Sequence, residues 1–462
     1  MRYKLRPVGY DSSADFYVYV SHYKASEGDD NAARRNVEAQ QVRANADTLG
    51  SAHIIYAGDF NIYTSDEPMF QTLLSAGNGQ AFDPLNSMGD WHDNTAFRSV
   101  HTQAPSTTAR FPGQVTGGMD DRFDFQLSSG EFMDGEGLAY ISGSYRGFGN
   151  TGTHSLNGEI TTGSVGSLQA RLPGYSAVQT SAVLEAIAGS SDHIPVVADY
   201  QLPAKMGVQL AAVPSRVIRD GNVSVNVTVT NTAGVVSVNG ADELDYALTV
   251  SGSLNGGTTG TDAALGAGNT HAVMLQTASV GARNGQVDVH SSSQGAANKD
   301  FTQAVNYTVL DHAKPYFADH EGVTTLVLDF GEVVAGAFPE LDFSLGNWIS
   351  PLGDAAALDL DQILVQGDTG IFTLSLAPFA NLASGGTLDF TAVLSSAATG
   401  LFTTKYDLLF SDENIPGAAD AGSLRLEMTV NIVPVPEPST AALLLISACL
   451  SFRRRNSSLR SR

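Results

Sequence analysis

Four short polar segments in residues 1–202 carry side chains that could do chemistry together. They are Ser21-His22-Tyr23-Lys24, Gly58-Asp59-Phe60-Asn61, Asp121-Arg122-Phe123-Asp124-Phe125 and Ser191-Asp192-His193-Ile194-Pro195-Val196. Each segment puts a carboxylate or an imidazole where a strand-like run meets a loop, and active sites of layered α/β proteins gather at such positions. We therefore treat the four segments as one candidate site.

The residue types in these segments suit metal-assisted chemistry on phosphate. Carboxylates and an amide oxygen are hard ligands for Mg²⁺ or Mn²⁺. A bound cation neutralises charge on a phosphate oxygen and lowers the pKa of water, and a histidine beside an acid can take the proton of that water. Taken singly, each signal has an ordinary alternative: Asp-Phe-Asn is typical of a turn, Asp-His of a loop contact and Asp-Arg of a surface ion pair.

The elements that must position these residues follow a strand–helix–strand pattern. Residues 15–22 are aromatic and β-branched, which predicts a strand. Residues 29–49 lack glycine and proline and predict a helix, and residues 53–57 predict a short buried strand. A strand, a crossover helix and a second strand indicate an α/β layer.

The order of the four segments resembles the second half of the endonuclease/exonuclease/phosphatase superfamily, the deoxyribonuclease-I-like group. The resemblance covers about residues 10–200 and implies a four-layer α/β sandwich with two central sheets. It also implies a role for each candidate residue: His193 as general base, Asp124 or Asp121 orienting a histidine, Asp192 holding a divalent metal, Asp59 and Asn61 contacting phosphate, water or metal, and His22 binding or protonating the phosphate.

The first half of that superfamily has no counterpart in this chain. It should supply an early Asn and a metal-binding Glu, each on its own strand, and too few residues precede His22 to hold them. We therefore expect an N-terminally truncated, partial domain over residues 1–202, with little or no activity as it stands.

After Leu202 the pattern changes to strands of period two. Residues 223–230 alternate apolar and polar side chains, and similar runs separated by Gly- and Asn-rich turns recur as far as residue 432. This pattern predicts two β-sandwich modules, an Ig-like one over 203–312 and a second over 313–433. No metal-ligand or nucleophile motif is evident in 203–434, which favours a spacer or adhesive role there.

The charge balance limits the class of partner. The chain has 48 acidic and 25 basic side chains, for a formal net charge of −23. Such a surface repels polyanions at long range, which argues against a stoichiometric nucleic-acid-binding protein. It leaves open an enzyme that meets phosphate through bound cations.

The C-terminal segment, residues 434–462, resembles a PEP-CTERM sorting signal. Val435-Pro436-Glu437-Pro438 precedes the apolar run 441–452, and five arginines lie among the last ten residues. The resemblance implies an exosortase-type processing enzyme and a bacterium with an outer membrane. The apolar run is shorter than the ~20 residues of a full span, so we expect transient membrane association and a final location outside the cell or at its surface.

Two readings of function follow from these features. The first is a divalent-metal-dependent phosphoesterase whose substrate stays open among nucleic acid, phospholipid and sugar phosphate. The alternative is a non-catalytic surface or matrix protein in which the β-sandwich modules do the work. An export signal is not evident at residues 1–15, although the second reading and the tail both require export.

We expect the tail to be removed rather than retained. Cleavage near Pro436-Glu437-Pro438 would discard the arginine cluster and Cys449, the only cysteine of the chain. Intact mass measurement of the surface-exposed protein from its native host should therefore give a cysteine-free chain ending near residue 437. Finding residues 441–462 still attached to that form would contradict sorting and processing.

Overall fold

The computed structural model describes residues 1–436, and the sorting tail predicted beyond them lies outside the described residues. The helices are α1 Asp29–Asp47, α2 Pro68–Leu74, α3 Gly130–Met133, α4 Val165–Gln169 and α5 Ala177–Ser190, with 3₁₀ turns at Ser12–Ala14, Thr95–Val100, Ile160–Thr162 and Val238–Gly240. None of the helices within residues 1–436 has the length and apolarity needed to cross a membrane.

The N-terminal region is built on one five-stranded mixed sheet of order β1-β2-β3-β5-β4. Its strands are β1 Arg2–Leu5, β2 Phe16–His22, β3 His53–Asp59, β4 Ala81–Phe82 and β5 Asp124–Ser129. The helix α1 connects β2 to β3, which pair in parallel. Buried residues from both helices and strands, including Ala39, Phe70 and Phe125, form the core between α1, α2 and the sheet.

The predicted partial four-layer α/β sandwich is not supported. Within residues 1–200 the strands outside the five-stranded sheet are only β6 Arg146–Gly147 and β7 Val196–Val197, which form a two-residue ladder. A pairing of only two residues per strand is too short to form a second central sheet. Pro195 lacks an N–H, so the ladder of β7 cannot extend through it toward His193. The described chain as a whole is mostly β-strand.

The prediction of β-sandwich modules is confirmed in its coarse form. The first sandwich, residues 206–310, pairs a sheet of order β12-β14-β10-β8 with one of order β13-β11-β15-β16-β9. Its strands are β8 Met206–Leu210, β9 Arg216–Ile218, β10 Ser224–Asn231, β11 Leu244–Gly252, β12 Leu254–Asn255, β13 Thr258–Asp262, β14 Asn269–Leu275, β15 Gly281–Ser291 and β16 Asp300–Leu310.

Alternating side chains fill the first sandwich as the sequence pattern requires. Val225, Val227 and Val229 of β10 are buried, whereas Ser224 and Asn226 between them are exposed. Successive side chains of a strand point to opposite faces, so one face of β10 packs against the inner residues of the other sheet.

The second sandwich, residues 315–433, has the same two-sheet form. Its sheets have the orders β17-β19-β23-β21 and β18-β25-β24-β20-β22. The strands are β17 Pro315–Phe317, β18 Thr325–Val334, β19 Glu340–Asn347, β20 Leu358–Gly367, β21 Phe372–Leu374, β22 Phe379–Leu382, β23 Thr387–Leu394, β24 Gly400–Asp412 and β25 Asp420–Val433. The exact domain boundaries proposed from sequence stay predictions.

The two sandwiches meet through a close backbone junction. The Ile218 N–H donates to the Pro416 carbonyl at 2.9 Å, and a Cβ added at Gly221 would lie 2.6 Å from the Gly417 Cα. Arg216 forms an ion pair with Glu413 across the same junction. Ile218 and Leu310 of the first sandwich belong to the hydrophobic core of the second, so the two share apolar packing.

The chain between the sandwiches is short and is held by several hydrogen bonds to its surroundings. Buried Asp412 accepts from the Ala313 N–H at 2.7 Å and pairs with His312 Nδ1 at 2.8 Å. Asp311 exchanges backbone hydrogen bonds with Asp354 and Ala356, each 2.9 Å long. A linker held at this many points cannot swing freely, so the junction is rigid.

Adding one methyl group at the junction should loosen it. We expect Gly221→Ala to lower the free energy of unfolding by about 1–3 kcal/mol, because the new Cβ overlaps the Gly417 backbone. Thermal unfolding gives the loss of stability, and small-angle X-ray scattering should show a wider spread of distances between the sandwiches.

Gly234→Ala is the matched control for this change. Gly234 lies in the same sandwich, and a Cβ there meets nothing within 4 Å. We expect its melting temperature to stay the same or rise slightly. Equal melting temperatures and scattering profiles for the two variants would contradict a rigid junction.

Candidate functional site

Strand register places three of the predicted site residues in one row. His22 ends β2 and is the cross-strand partner of Asp59, which ends β3. Asp59 is in turn the partner of Asp124, the first residue of β5. Because directly paired residues project to the same face of a sheet, these three side chains lie side by side at one sheet edge.

His193 reaches this row from the loop that follows α5. A backbone hydrogen bond of 2.8 Å from Ile194 N–H to the Thr102 carbonyl fixes the loop beside the sheet. His193 Nδ1 then lies 2.8 Å from Asp124 Oδ2, and His193 Nε2 lies 3.8 Å from Asp59 Oδ2. His22, which is largely exposed, places Nε2 3.4 Å from Asp59 Oδ2. We call these four residues the His–Asp cluster.

Asn61 lies in the turn that follows Asp59 and helps to position that residue of the His–Asp cluster. Its backbone has a φ of 50°, a left-handed conformation that asparagine tolerates better than most residues. Its N–H donates to Asp59 Oδ1 at 2.9 Å, and its side-chain amide donates to the Tyr23 carbonyl at 3.2 Å. The buried Asn61 side chain therefore holds the turn after β3.

Asp121 and Asp192 lie outside the cluster. Asp121 pairs with His92, whose Nδ1 lies 2.7 Å from Asp121 Oδ1. Of the two carboxylates proposed to orient a histidine, Asp124 thus contacts His193 and Asp121 contacts His92. Asp192 Oδ2 accepts instead from the Val115 N–H at 3.3 Å.

The predicted metal ligands are not all brought together. Asp59 and Asn61 are in contact through the Asn61 N–H, whereas Asp192 accepts from the Val115 N–H, and residues 1–436 contain no group of three or more His, Cys, Asp or Glu side chains placed to hold a metal ion. Binding of Mg²⁺ or Mn²⁺ by these residues stays an untested prediction.

Burial and mutual charge set the protonation of the cluster. Burial raises the pKa of Asp59, and His193 partly opposes this shift. Burial would lower the pKa of His193, but the hydrogen bond to Asp124 and the charges of Asp124 and Asp59 outweigh it and raise that pKa. Both shifts favour the protonated forms, so the cluster can hold a proton.

Sequence reasoning missed two residues of this region, Gln103 and His92. The Gln103 side-chain amide lies 2.7 Å from His193 Nε2, and backbone bridges join Gln103 to both His193 and Asp121. His92 Nε2 also lies 3.5 Å from Glu27 Oε1. Neither residue belongs to a motif; Gln103 lies in a polar loop, and only its chain pairing brings it to His193.

Arg122 of the third segment forms a buried ion pair with Asp83 rather than a surface ion pair with Asp121. Arg122 donates to both carboxylate oxygens of Asp83 at 2.8 Å, and its guanidinium lies 4.4 Å from the centre of the Phe125 ring. Burial alone would raise the pKa of Asp83, but the hydrogen bonds and charge of Arg122 hold it below its ordinary value. The pair anchors the segment that leads into Asp124.

Removing the Asp124 charge should lower the pKa of His193. Burial lowers the pKa of His193, and the hydrogen bond and charge of Asp124, together with the charge of Asp59, raise it by more. In Asp124→Asn the raising effect of Asp124 is lost, so the pKa of His193 should fall toward or below 6.5. In the native chain the protonated imidazole stabilises the fold below pH 6.5, and this contribution disappears as the pH rises through the raised pKa.

Histidine-ring NMR titration measures this shift, and His193→Gln identifies the resonance among the ten histidines. The control is Asp300→Asn, which removes the partner of the exposed His290 and should leave His193 unchanged. An unaltered titration of His193 in Asp124→Asn would show that Asp124 does not control it.

Comparison with known proteins gives only distant similarity to β-domain structures. No family model and no curated protein matches the chain. The three N-terminal domains of the bacteriophage RB49 outer capsid protein Hoc are 13% identical and cover 50% of this chain and 71% of theirs, with a TM-score of 0.25.

Two further structures are similar at the same distance. CfaE, the adhesive subunit of the CFA/I fimbria of enterotoxigenic Escherichia coli, is 9% identical over 49% of this chain and 87% of its own, with a TM-score of 0.21. A PapD-like domain of human CEP192 is 12% identical over 27% of this chain and 89% of its own, with a TM-score of 0.20. At these scores, no function is transferred from them.

The structure overturns the assignment to the endonuclease/exonuclease/phosphatase superfamily. Residues 1–200 contain one five-stranded sheet and the two-residue ladder of β6 and β7, where that superfamily requires two central sheets. The assignment is therefore wrong, and the metal-dependent phosphoesterase function predicted from it is corrected with it. The roles predicted for His22, Asp59, Asn61, Asp121, Asp124, Asp192 and His193 stay untested predictions.

Proposed function

We propose that the chain is a non-catalytic surface protein in which the two β-sandwiches form one rigid unit. The observation that carries this proposal is the junction at Gly221 and Gly417, where backbone meets backbone. Domains joined by flexible linkers move independently by default, whereas a shared apolar core and a hydrogen-bonded linker prevent this. A rigid pair of sandwiches suits a spacer that presents a surface at a fixed distance.

The contacts of His193 support the absence of catalysis. Its Nδ1 lies 2.8 Å from Asp124 Oδ2 and its Nε2 lies 2.7 Å from the Gln103 side-chain amide, so both ring nitrogens have partners within the protein. Both carboxylate oxygens of Asp59 also have neighbours: Oδ1 accepts from the Asn61 N–H, and Oδ2 lies near Nε2 of His22 and of His193. In this arrangement the polar groups satisfy one another and stabilise the end of the sheet.

Charge and the C-terminal segment support a surface location. A formal net charge of −23 keeps a protein soluble and disfavours self-association. The Pro436-Glu437-Pro438 motif and the arginine-terminated apolar run after it suit export, transient membrane association and processing by an exosortase-type enzyme in a bacterium with an outer membrane. Intact mass of the surface form, described above, tests this part of the proposal.

Absence of hydrolysis tests the non-catalytic part. We expect the full chain with Mg²⁺ or Mn²⁺ to hydrolyse bis(p-nitrophenyl) phosphate and duplex DNA no faster than buffer does. His193→Ala and the control His290→Ala, an exposed histidine of the first sandwich, should both match the unaltered chain. Turnover that a chelator abolishes, and that His193→Ala loses while His290→Ala keeps it, would overturn the proposal.

A further inference from the structure

The outer face of β17 and β19 carries an aromatic pair beside a cavity. Asn347 turns its side chain into the interior, where the amide donates to the Ala356 carbonyl at 2.9 Å and the Leu382 carbonyl at 3.0 Å. Its neighbours Gly346 and Trp348 therefore face outward. Tyr316 is the cross-strand partner of Gly346, and Lys314 lies opposite Trp348, so all four positions share the outer face.

The two rings are held in place before any ligand arrives. A Cβ added at Gly346 would lie 2.3 Å from Tyr316 Cε1, so the tyrosine ring lies directly on the glycine backbone. The Tyr316 and Trp348 rings meet edge to face with centroids 5.2 Å apart and an interplanar angle of 83°. Both side chains are half-buried, which leaves part of each ring accessible.

A loop borders this face and forms with it a half-open cavity of about 470 Å³. The lining includes Glu321, Gly322, Val323 and Thr324 of the loop, together with Leu424. Backbone hydrogen bonds from His320 N–H to the Phe317 carbonyl and from Arg425 N–H to the Thr324 carbonyl hold both ends of the loop. The volume falls in the range of ~300–1,000 Å³ typical of small-molecule sites, which combine apolar walls with a few polar groups.

The charges around the cavity select the class of ligand. Lys314 Nζ lies 5.9 Å from the Trp348 ring centroid, and this positive charge disfavours a cationic ligand. Glu321 and the net charge of −23 disfavour a polyanion. A neutral ligand with an apolar face for a ring and hydroxyl groups for Lys314, Glu321 and Thr324 fits these limits.

We propose that the cavity between Trp348, Tyr316 and the 321–324 loop binds a pyranose unit of a neutral polysaccharide. The C–H face of the sugar stacks on an aromatic ring, and its hydroxyl groups exchange hydrogen bonds with the ammonium and the carboxylate at the rim. This goes beyond the proposed surface function, because the cavity has the same chemistry wherever the protein is located.

Calorimetry and tryptophan fluorescence on the full chain test the site with defined probes. The probes are maltohexaose, cellohexaose and chitohexaose, with polygalacturonate and choline as charged comparators. The chain has two tryptophans, and Trp91 is fully buried, so a fluorescence change on binding reports on Trp348. We expect at least one neutral hexasaccharide to bind and neither charged probe to do so.

Variants locate the binding in this cavity. Trp348→Ala and Tyr316→Ala should each weaken binding by about tenfold or more, and Trp348→Phe, which keeps a ring, should weaken it less. Phe338→Ala is the matched control, since Phe338 is an exposed aromatic of the same sandwich and should have no effect. Unchanged melting temperatures show that each variant is folded.

Three results would overturn this inference. They are no binding of any neutral hexasaccharide at millimolar concentration, binding that all of the ring variants retain, and binding of choline or polygalacturonate in preference. Each of these leaves the rigid, non-catalytic surface role standing. Conversely, phosphoesterase turnover or a retained tail would remove that role without touching sugar binding.

Discussion

The backbone contact between Gly221 and Gly417 is the constraint on which the arrangement of the two sandwiches depends. With no side chain between the loops, the sandwiches approach closely enough for Ile218 to enter the core of its neighbour and for its N–H to reach the Pro416 carbonyl. The linker is then short enough for Asp412 to bind it directly.

The His–Asp cluster shows how motif order can be right about proximity and wrong about family. Strand register brings His22, Asp59 and Asp124 into a row, and the loop after α5 adds His193. Proximity of such residues follows from layered α/β geometry alone, because strand ends meet at one edge. The inference from four segments to a superfamily required a second central sheet, and residues 1–200 provide only the two-residue ladder of β6 and β7 beside the five-stranded sheet.

Local patterns predicted most of the strands and the long helix. The alternating valines of β10 specify a strand, because burial of one face needs a period of two. The run of α1 specifies a helix because it lacks glycine and proline and is rich in good helix formers. The sequence could not reveal the ion pair of Arg122 with Asp83 or the side-chain contact of Gln103 with His193. Nor could it reveal the backbone contact of Gly221 with Gly417. These contacts join segments that lie far apart in the chain, and their residue types are equally typical of exposed loops. The aromatic pair was missed for the same reason, because Tyr316 and Trp348 become neighbours only through the β17–β19 register.

Parallel pairing between β18 and β25 gives the second sandwich a mechanical property. The strand near its start and the strand at its end run side by side in the same direction, over most of the length of β18. A force that separates the start of β18 from the end of β25 therefore acts along the strands and loads their hydrogen bonds together in shear. The bonds do not break one after another, as they would if the strands were peeled apart. The first sandwich repeats this on a smaller scale, where β9 runs parallel to β16. If one end of the protein were attached and a bound ligand exerted force on it, these two parallel strand pairs would resist extension of the chain.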